Sequence, residues 1–264
     1  MSGARRWLGY GAIVLVFSIA CGLLSWWQFS RLEEARQRVD RIERNWDAAP
    51  MPLAEAMPVL DAFDIERTWQ PVVVSGEYLA DDQLLVRGRP RDGRPGFEVL
   101  VPFLADDGTI LVVDRGWVAP GSAQDEPDSV PAPPSGPVEL LVRLKPGEAV
   151  IPGRDAPAGQ VATINLPTIA GLVDGEVRTG AYGLLASEDP APATTPASLA
   201  KPALDEGPHL SYALQWILFA ILAVVALGWA IRNERRIRAG QPAPPRRGGP
   251  TDAEEEDAVL DRQG

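Results

Sequence analysis

Two long stretches without a single charge constrain this chain more than any other feature. Trp7–Ser30 carries no charged residue and is flanked by Arg6 and Arg31; Leu210–Ile231 carries none and is closed by Arg232. At about 1.5 Å of rise per residue, each is long enough as a helix to cross a hydrocarbon core of roughly 30 Å. A helix also bonds its own backbone groups, which lipid cannot do. The expected architecture is a membrane protein with two transmembrane helices flanking a mainly β extracytoplasmic domain that has a few short α segments. Its divisions are a cytoplasmic N-terminus at 1–6, a first transmembrane helix at 7–30, the extracytoplasmic domain at 31–206, a second transmembrane helix at 207–231 and a disordered cytoplasmic tail at 232–264.

The first run differs from a cleaved signal peptide, whose apolar core spans about 7–15 residues and ends at a small-x-small site. Here the run is longer and continues into "WWQFSRLEEAR". "FSIAC" at Phe17–Cys21 partly matches a lipoprotein signal, yet the chain stays apolar beyond Cys21. Arginines set the orientation: Arg232, Arg235, Arg236 and Arg238 crowd the end of the second run, whereas its entry, "ALDEGPH", is acidic. Basic residues mark the cytoplasmic side. Both termini are therefore expected in the cytoplasm, in a bacterial plasma membrane, with membrane lipid around the spans.

Net charge is −11, concentrated between the spans, where 16 Lys and Arg face 29 Asp and Glu. So acidic a domain is a poor ligand for phosphate backbones, which excludes nucleic acid as the expected partner. The single cysteine, Cys21, falls within the first span, leaving the domain without a disulfide.

After the first span, Leu32, Ala35, Val39, Ile42 and Trp46 recur at helical spacing, which predicts a continuation of the helix as far as "DAAPMP". The pattern then changes. "TWQPVVVSGEY", "QLLVRG", "FEVLVPFL", "TILVVDRGWV", "VELLVRLK" and "GAYGLLAS" read as strands, and "ADDG" between the third and fourth as a hairpin turn. "LPTIAGLV" reads as a short helix, and two Pro- and Ala-rich stretches read as loops. The tail after Arg238 is basic, then acidic, and poor in large apolar residues, which is the composition of disorder.

Catalytic arrangements are hard to find. A Ser-His-Asp triad needs histidine, and His209 is the only one, at the mouth of the second span; a zinc site needs several His or Cys ligands, which the domain between the spans lacks. No thiol lies between the spans, no G-x-S-x-G elbow is present, and no Gly-rich phosphate loop opens a helix. The chain is not expected to be an enzyme.

One constellation stands out. His209, Tyr212, Ala213 and Trp216 share a helical face at the outer end of the second span, and the first span ends with Trp26, Trp27, Gln28 and Arg31. Topology places both clusters at the same membrane surface. Two readings stay open. The aromatics and His209 can be an interfacial belt. Alternatively, His209 can supply an axial nitrogen to a haem, with the aromatics around the macrocycle and Arg31 paired to a propionate. Arg115, Gly116 and Trp117 sit at a predicted strand end; they read either as packing or as a partner-docking patch, since Trp and Arg are common interface anchors.

Three stretches together resemble the surfeit locus protein 1 family, the assembly factors of cytochrome c oxidase. "WWQFSRLEE" is similar to the family's W-Q-x-x-R segment through Trp27, Gln28 and Arg31. "GRPRDGRPGFEVLVPFLADDGTILVVDRGWVAP" is similar to its central block, through Arg89, Gly96, Pro102, Gly108, Arg115, Gly116 and Trp117. "HLSYALQW" resembles its closing signature. Departures are Glu33 and Glu34, where members often carry Lys, and Asp114, where they often carry Asn. The resemblance implies a non-catalytic helper in aa-type oxidase assembly that assists insertion of haem a, held transiently with His209 as iron ligand. The partners it implies are the large oxidase subunit and a haem a synthase. A scaffold that stabilises an assembly intermediate without touching haem, and an unrelated membrane-anchored receptor, are the alternatives.

Overall fold

The computed structural model describes residues 3–240. The chain forms two compact units, one made of the residues up to Leu32 together with those from Gly207 onward, the other of Glu33–Glu206. Helix α1 runs without a break over Gly3–Asn45, and helix α4 over His209–Arg238. Both are long and apolar enough to cross a membrane. The helical stripe predicted after the first span is present: Leu32, Ala35 and Ile42 are buried, and Val39 and Trp46 are half-buried.

Two boundaries differ from those expected. The second helix begins at His209 rather than 207, because Gly207 takes a left-handed φ of 70° and Pro208 is the N-cap, its carbonyl accepting from the Tyr212 N–H at 3.1 Å. Nor does order end at Ile231. Arg232–Arg238 continue the helix, since Arg and Glu are good helix formers and Arg235, Arg236 and Arg238 complement the negative C-terminal dipole. The rest of the expected disordered tail, 241–264, lies outside the described residues.

The second unit is mainly β. Among the described residues its strands are β1 (Met51–Pro52), β2 (Pro71–Tyr78), β3 (Leu84–Val86), β4 (Phe97–Ala105), β5 (Thr109–Val118), β6 (Val138–Pro146), β7 (Gln160–Val161), β8 (Glu176–Val177) and β9 (Ala181–Asp189). Short helices α2 (Leu53–Ala56) and α3 (Leu166–Ala170) accompany them. All six long runs read as strands from the sequence are strands. The two-residue strands β1, β7 and β8 were too short to show periodicity.

The pairings form a ring. β2 pairs with β6, β6 with β9, β9 with β5, β5 with β4, and β4 returns to β2. Closing a sheet removes the exposed edges that invite aggregation. The "ADDG" hairpin joins β4 to β5: Gly108 takes φ 83° and the Asp107 carboxylate accepts from the Thr109 N–H at 3.0 Å.

Side chains from all five ring strands fill the interior, among them Val74, Phe103, Leu111, Leu140 and Ala181. The alternate residues of β5, Ile110 and Val112, face the opposite way, into a second core with Tyr182, Leu166 and Ile169. That explains why β5 reads as an unbroken apolar run: both of its faces are covered. Helix α3 caps that second core. Its N-cap Asn165 accepts from the Thr168 N–H at 3.1 Å and donates to the Glu148 carbonyl at 2.8 Å. Asn165→Ala is expected to cost about 1–2 kcal/mol, as loss of a cap commonly does, read as a lower urea midpoint of the detergent-solubilised chain.

Candidate functional site

The first unit brings Cys21–Leu32 of α1 against the start of α4. Cys21, Ser25, Gln28 and Leu32 recur every three or four residues and so share one face of α1. Cys21, Ser25 and Leu32 are buried, as is Ala213 of α4. Ala213 has the small side chain that lets two backbones approach, and Ser25 Oγ donates across to its carbonyl oxygen at 3.0 Å. One turn further along α1, Gln28 Oε1 lies 3.0 Å from His209 Nδ1. The imidazole is half-buried. Its opposite edge faces Gly207: a β-carbon there would stand 3.5 Å from both Cδ2 and Nε2.

The remaining expected residues surround this pair less tightly. Tyr212 and Trp27 are each 48% exposed. The Arg31 guanidinium stacks on the Trp27 ring 5.7 Å from its centroid, an i, i+4 cation–π pair. Trp216 is half-buried and meets Phe219 edge-on at 5.8 Å. The structure thus joins His209 to Gln28 directly and leaves the aromatics flanking it. Gln28 was legible in the W-Q-x-x-R stretch, but only the register of α1 against α4 shows what it touches.

Among the described residues, no three His, Cys, Asp or Glu gather where they could hold a bare metal ion. A single imidazole suits a metal that arrives with its own equatorial ligands, as haem iron does.

The second expected site, Arg115-Gly116-Trp117, resolves differently. Val99 pairs with Gly116 and Leu100 with Asp114, so Arg115 is the extra residue of a β-bulge. A bulge re-aims side chains, and here both Asp114 and Arg115 are buried, at 1% and 2% exposure. Arg115 Nη2 donates to Glu188 Oε1 at 2.9 Å and Nη1 to the Pro131 carbonyl at 2.8 Å. Tyr78 donates to the other Glu188 oxygen at 2.8 Å, and the guanidinium lies over the Tyr78 ring. Burial and the neighbouring Glu188 charge push the Tyr78 phenol up. Gly116 has φ 128°, and a β-carbon there would meet the Ala197 carbonyl oxygen at 2.6 Å. Arg115 and Gly116 are therefore packing elements rather than docking residues, because neither offers surface. Trp117 is half-buried. Its ring covers Gly96, and its Nε1 donates to the Arg89 carbonyl at 2.7 Å, closing the Arg-rich loop after β3. It alone of the three retains exposed area.

Beside the bulge lies a charged network that sequence reading did not find. Arg89 bridges Glu98 at 3.0 Å and Glu148 at 2.5 Å. Asp114 Oδ1 accepts from the Gly116 N–H at 3.0 Å, while its Oδ2 is buried without a partner. Burial, and then the Glu98 charge, hold the Asp114 carboxyl well above the usual carboxylate range. These residues come from β4, β5 and the loops after β3 and β6, so no spacing in the sequence announces them.

Comparison with known proteins finds relatives over most of this chain. The SURF1 family model matches residues 15–221, a span that includes Gln28, Arg31, Asp114–Trp117, His209 and Trp216. A SURF1-like protein of Mycobacterium bovis is 35% identical over 247 residues, covering 90% of this chain and 89% of the relative. The cytochrome oxidase assembly protein SHY1 of Saccharomyces cerevisiae is 28% identical over 122 residues, covering 44% of this chain and 31% of the relative. A SURF1-like protein of Rickettsia bellii is 26% identical over 219 residues, 80% of this chain and 86% of the relative.

Proposed function

The chain belongs to the SURF1 family, and from that premise we propose that it assists assembly of an aa-type cytochrome c oxidase, handing haem a to the large oxidase subunit. The observation that carries the reading is His209, seated at the seam of two apolar helices with one ring nitrogen engaged by Gln28. The yeast relative, named a cytochrome oxidase assembly protein, supports the process.

The residues fit a haem as cargo. His209 would ligate the iron, Trp27, Tyr212 and Trp216 would flank the macrocycle, and Arg31 would take a propionate. A half-buried imidazole among partly exposed aromatics suits a ligand that is bound and then released. The chain acts as a carrier and not as an enzyme. Both long helices span the bacterial plasma membrane. Their apolar side chains are widely exposed, from Leu15 at 61% to Val225 at 60%, as lipid contact requires. The arginines after α4 support an orientation with both termini in the cytoplasm and the β unit outside. The partners are the large oxidase subunit, a haem a synthase as donor, and membrane lipid.

Full-length protein produced together with haem a synthesis is expected to purify with a haem absorption band. His209→Ala should lower haem per chain at least about tenfold, since the substitution removes the axial nitrogen. An unchanged band and stoichiometry would rule out ligation by His209. If His209→Ala still co-purifies with the oxidase subunit and supports normal aa-type spectra, the non-haem scaffold replaces the carrier. Normal spectra after deletion of the whole gene would sink both.

A further inference from the structure

We infer that Gln28 is a positioning residue that holds His209 as the Nδ1–H tautomer and so presents the Nε2 lone pair to a metal-centred ligand. The inference rests on the reading of His209 as a haem ligand, and it adds a second residue with a separate chemical task. A neutral imidazole has one N–H and one lone pair, and the hydrogen bond made by one nitrogen decides which is which. Gln28 Oε1, 3.0 Å from Nδ1, is an acceptor. A proton on Nδ1 satisfies it and leaves Nε2 free to ligate. Left to itself in water, neutral imidazole favours the proton on Nε2, the form that cannot ligate through that atom. Metal-binding histidines commonly depend on such a partner, and losing it typically weakens metal affinity by about 10–100-fold.

The surroundings fit the assignment. Gln28 lies on the same face of α1 as buried Ser25 and Leu32, so packing holds its side chain toward α4. On the far edge of the ring, Gly207 carries no side chain. A β-carbon there would already touch Cδ2 and Nε2 at 3.5 Å, and a longer side chain would cover the nitrogen. Its φ of 70° favours glycine at this position on backbone grounds as well. One edge of the imidazole is thus engaged by an acceptor, and the other faces a residue without a side chain.

His209 is the only histidine in the chain, which makes the test direct. Full-length protein labelled with 15N-histidine and purified through a histidine-free tag gives the nitrogen signals of one imidazole. Without haem, at about pH 8, the Nδ1–H pattern is expected in the native chain and in Gln28→Glu, which keeps an acceptor oxygen. Gln28→Leu should move the population toward Nε2–H. Titration with ferric haem b is the second readout. Gln28→Leu should bind about 10–100-fold more weakly than the native chain, with Gln28→Glu restoring affinity to within about threefold. An Nε2–H pattern in the native chain, or a Gln28→Leu variant unchanged in both tautomer and affinity, overturns the inference. If the nitrogen signals follow the expected series while no variant binds haem, the positioning role stands and the haem reading of His209 fails.

Discussion

Arg115→Ala is expected to destabilise the β unit by about 3–5 kcal/mol, the usual cost of removing one partner from a buried ion pair. The Arg115 side chain is 0% exposed and that of Glu188 3%. Deleting the guanidinium leaves the Glu188 carboxylate inside the protein with only the Tyr78 hydroxyl as donor. The Pro131 carbonyl loses its donor too. The large figure belongs to the stranded charge rather than to the pair itself. Replacing both charges should therefore recover most of the loss: Arg115→Met with Glu188→Leu, and Tyr78→Phe to remove the orphaned hydroxyl, is expected within about 1–2 kcal/mol of the native chain. Urea unfolding of the full chain in detergent measures all three states. A loss below about 1 kcal/mol in Arg115→Ala would show that Glu188 is not stranded, and the buried pair would have to be redrawn.

The second large effect is on pH dependence. Asp114 is buried, with one unpartnered oxygen, and its carboxyl titrates well above the usual range because burial and Glu98 disfavour its charge. A carboxyl raised on folding holds its proton more tightly in the native state than in the unfolded one. Its contribution is therefore fully present below the unfolded value, near pH 4, and is lost as pH rises toward the folded value, by about 1.4 kcal/mol per pH unit. Asn has the shape of the protonated acid and keeps an acceptor for the Gly116 N–H. Asp114→Asn should match the native chain near pH 4 and become progressively more stable above it, until the folded carboxyl has ionised. Urea midpoints of both proteins between about pH 4 and 8 check this; parallel curves would mean that Asp114 is ionised in the folded protein.

The sequence made some parts of this molecule legible and hid others, for physical reasons. Uncharged runs, helical stripes and β-branched segments report local periodicity, so α1, α4 and the long strands were readable. His209, Tyr212 and Trp216 were readable as a group because a helix face is a local fact. The tie to Gln28 was not, since it depends on the register between two helices 181 residues apart in sequence. Arg115 shows the same limit from the other side. As a strand residue next to a Trp it left packing and docking both open, and the bulge, created by the pairing of β4 with β5, turns it inward. Glu188, its partner, carried no signal at all among so many acids.

The closed ring also bears on how the domain is made. Among the described residues β9 is the last strand, and it completes the ring by lying between β5 and β6, with Val113 opposite Gly183 and Leu144 opposite the same residue. Until Ala181–Asp189 has been synthesised, β5 and β6 have nothing between them, and both present open edges to whatever is nearby. Helix α4 follows from His209, shortly after that strand. The interval in which an unfinished domain is vulnerable therefore lasts through nearly all of its synthesis and ends shortly before the second long apolar helix emerges. A chain truncated anywhere before Ala181 should present as an aggregation-prone fragment and a target for proteolysis, not as a smaller working domain.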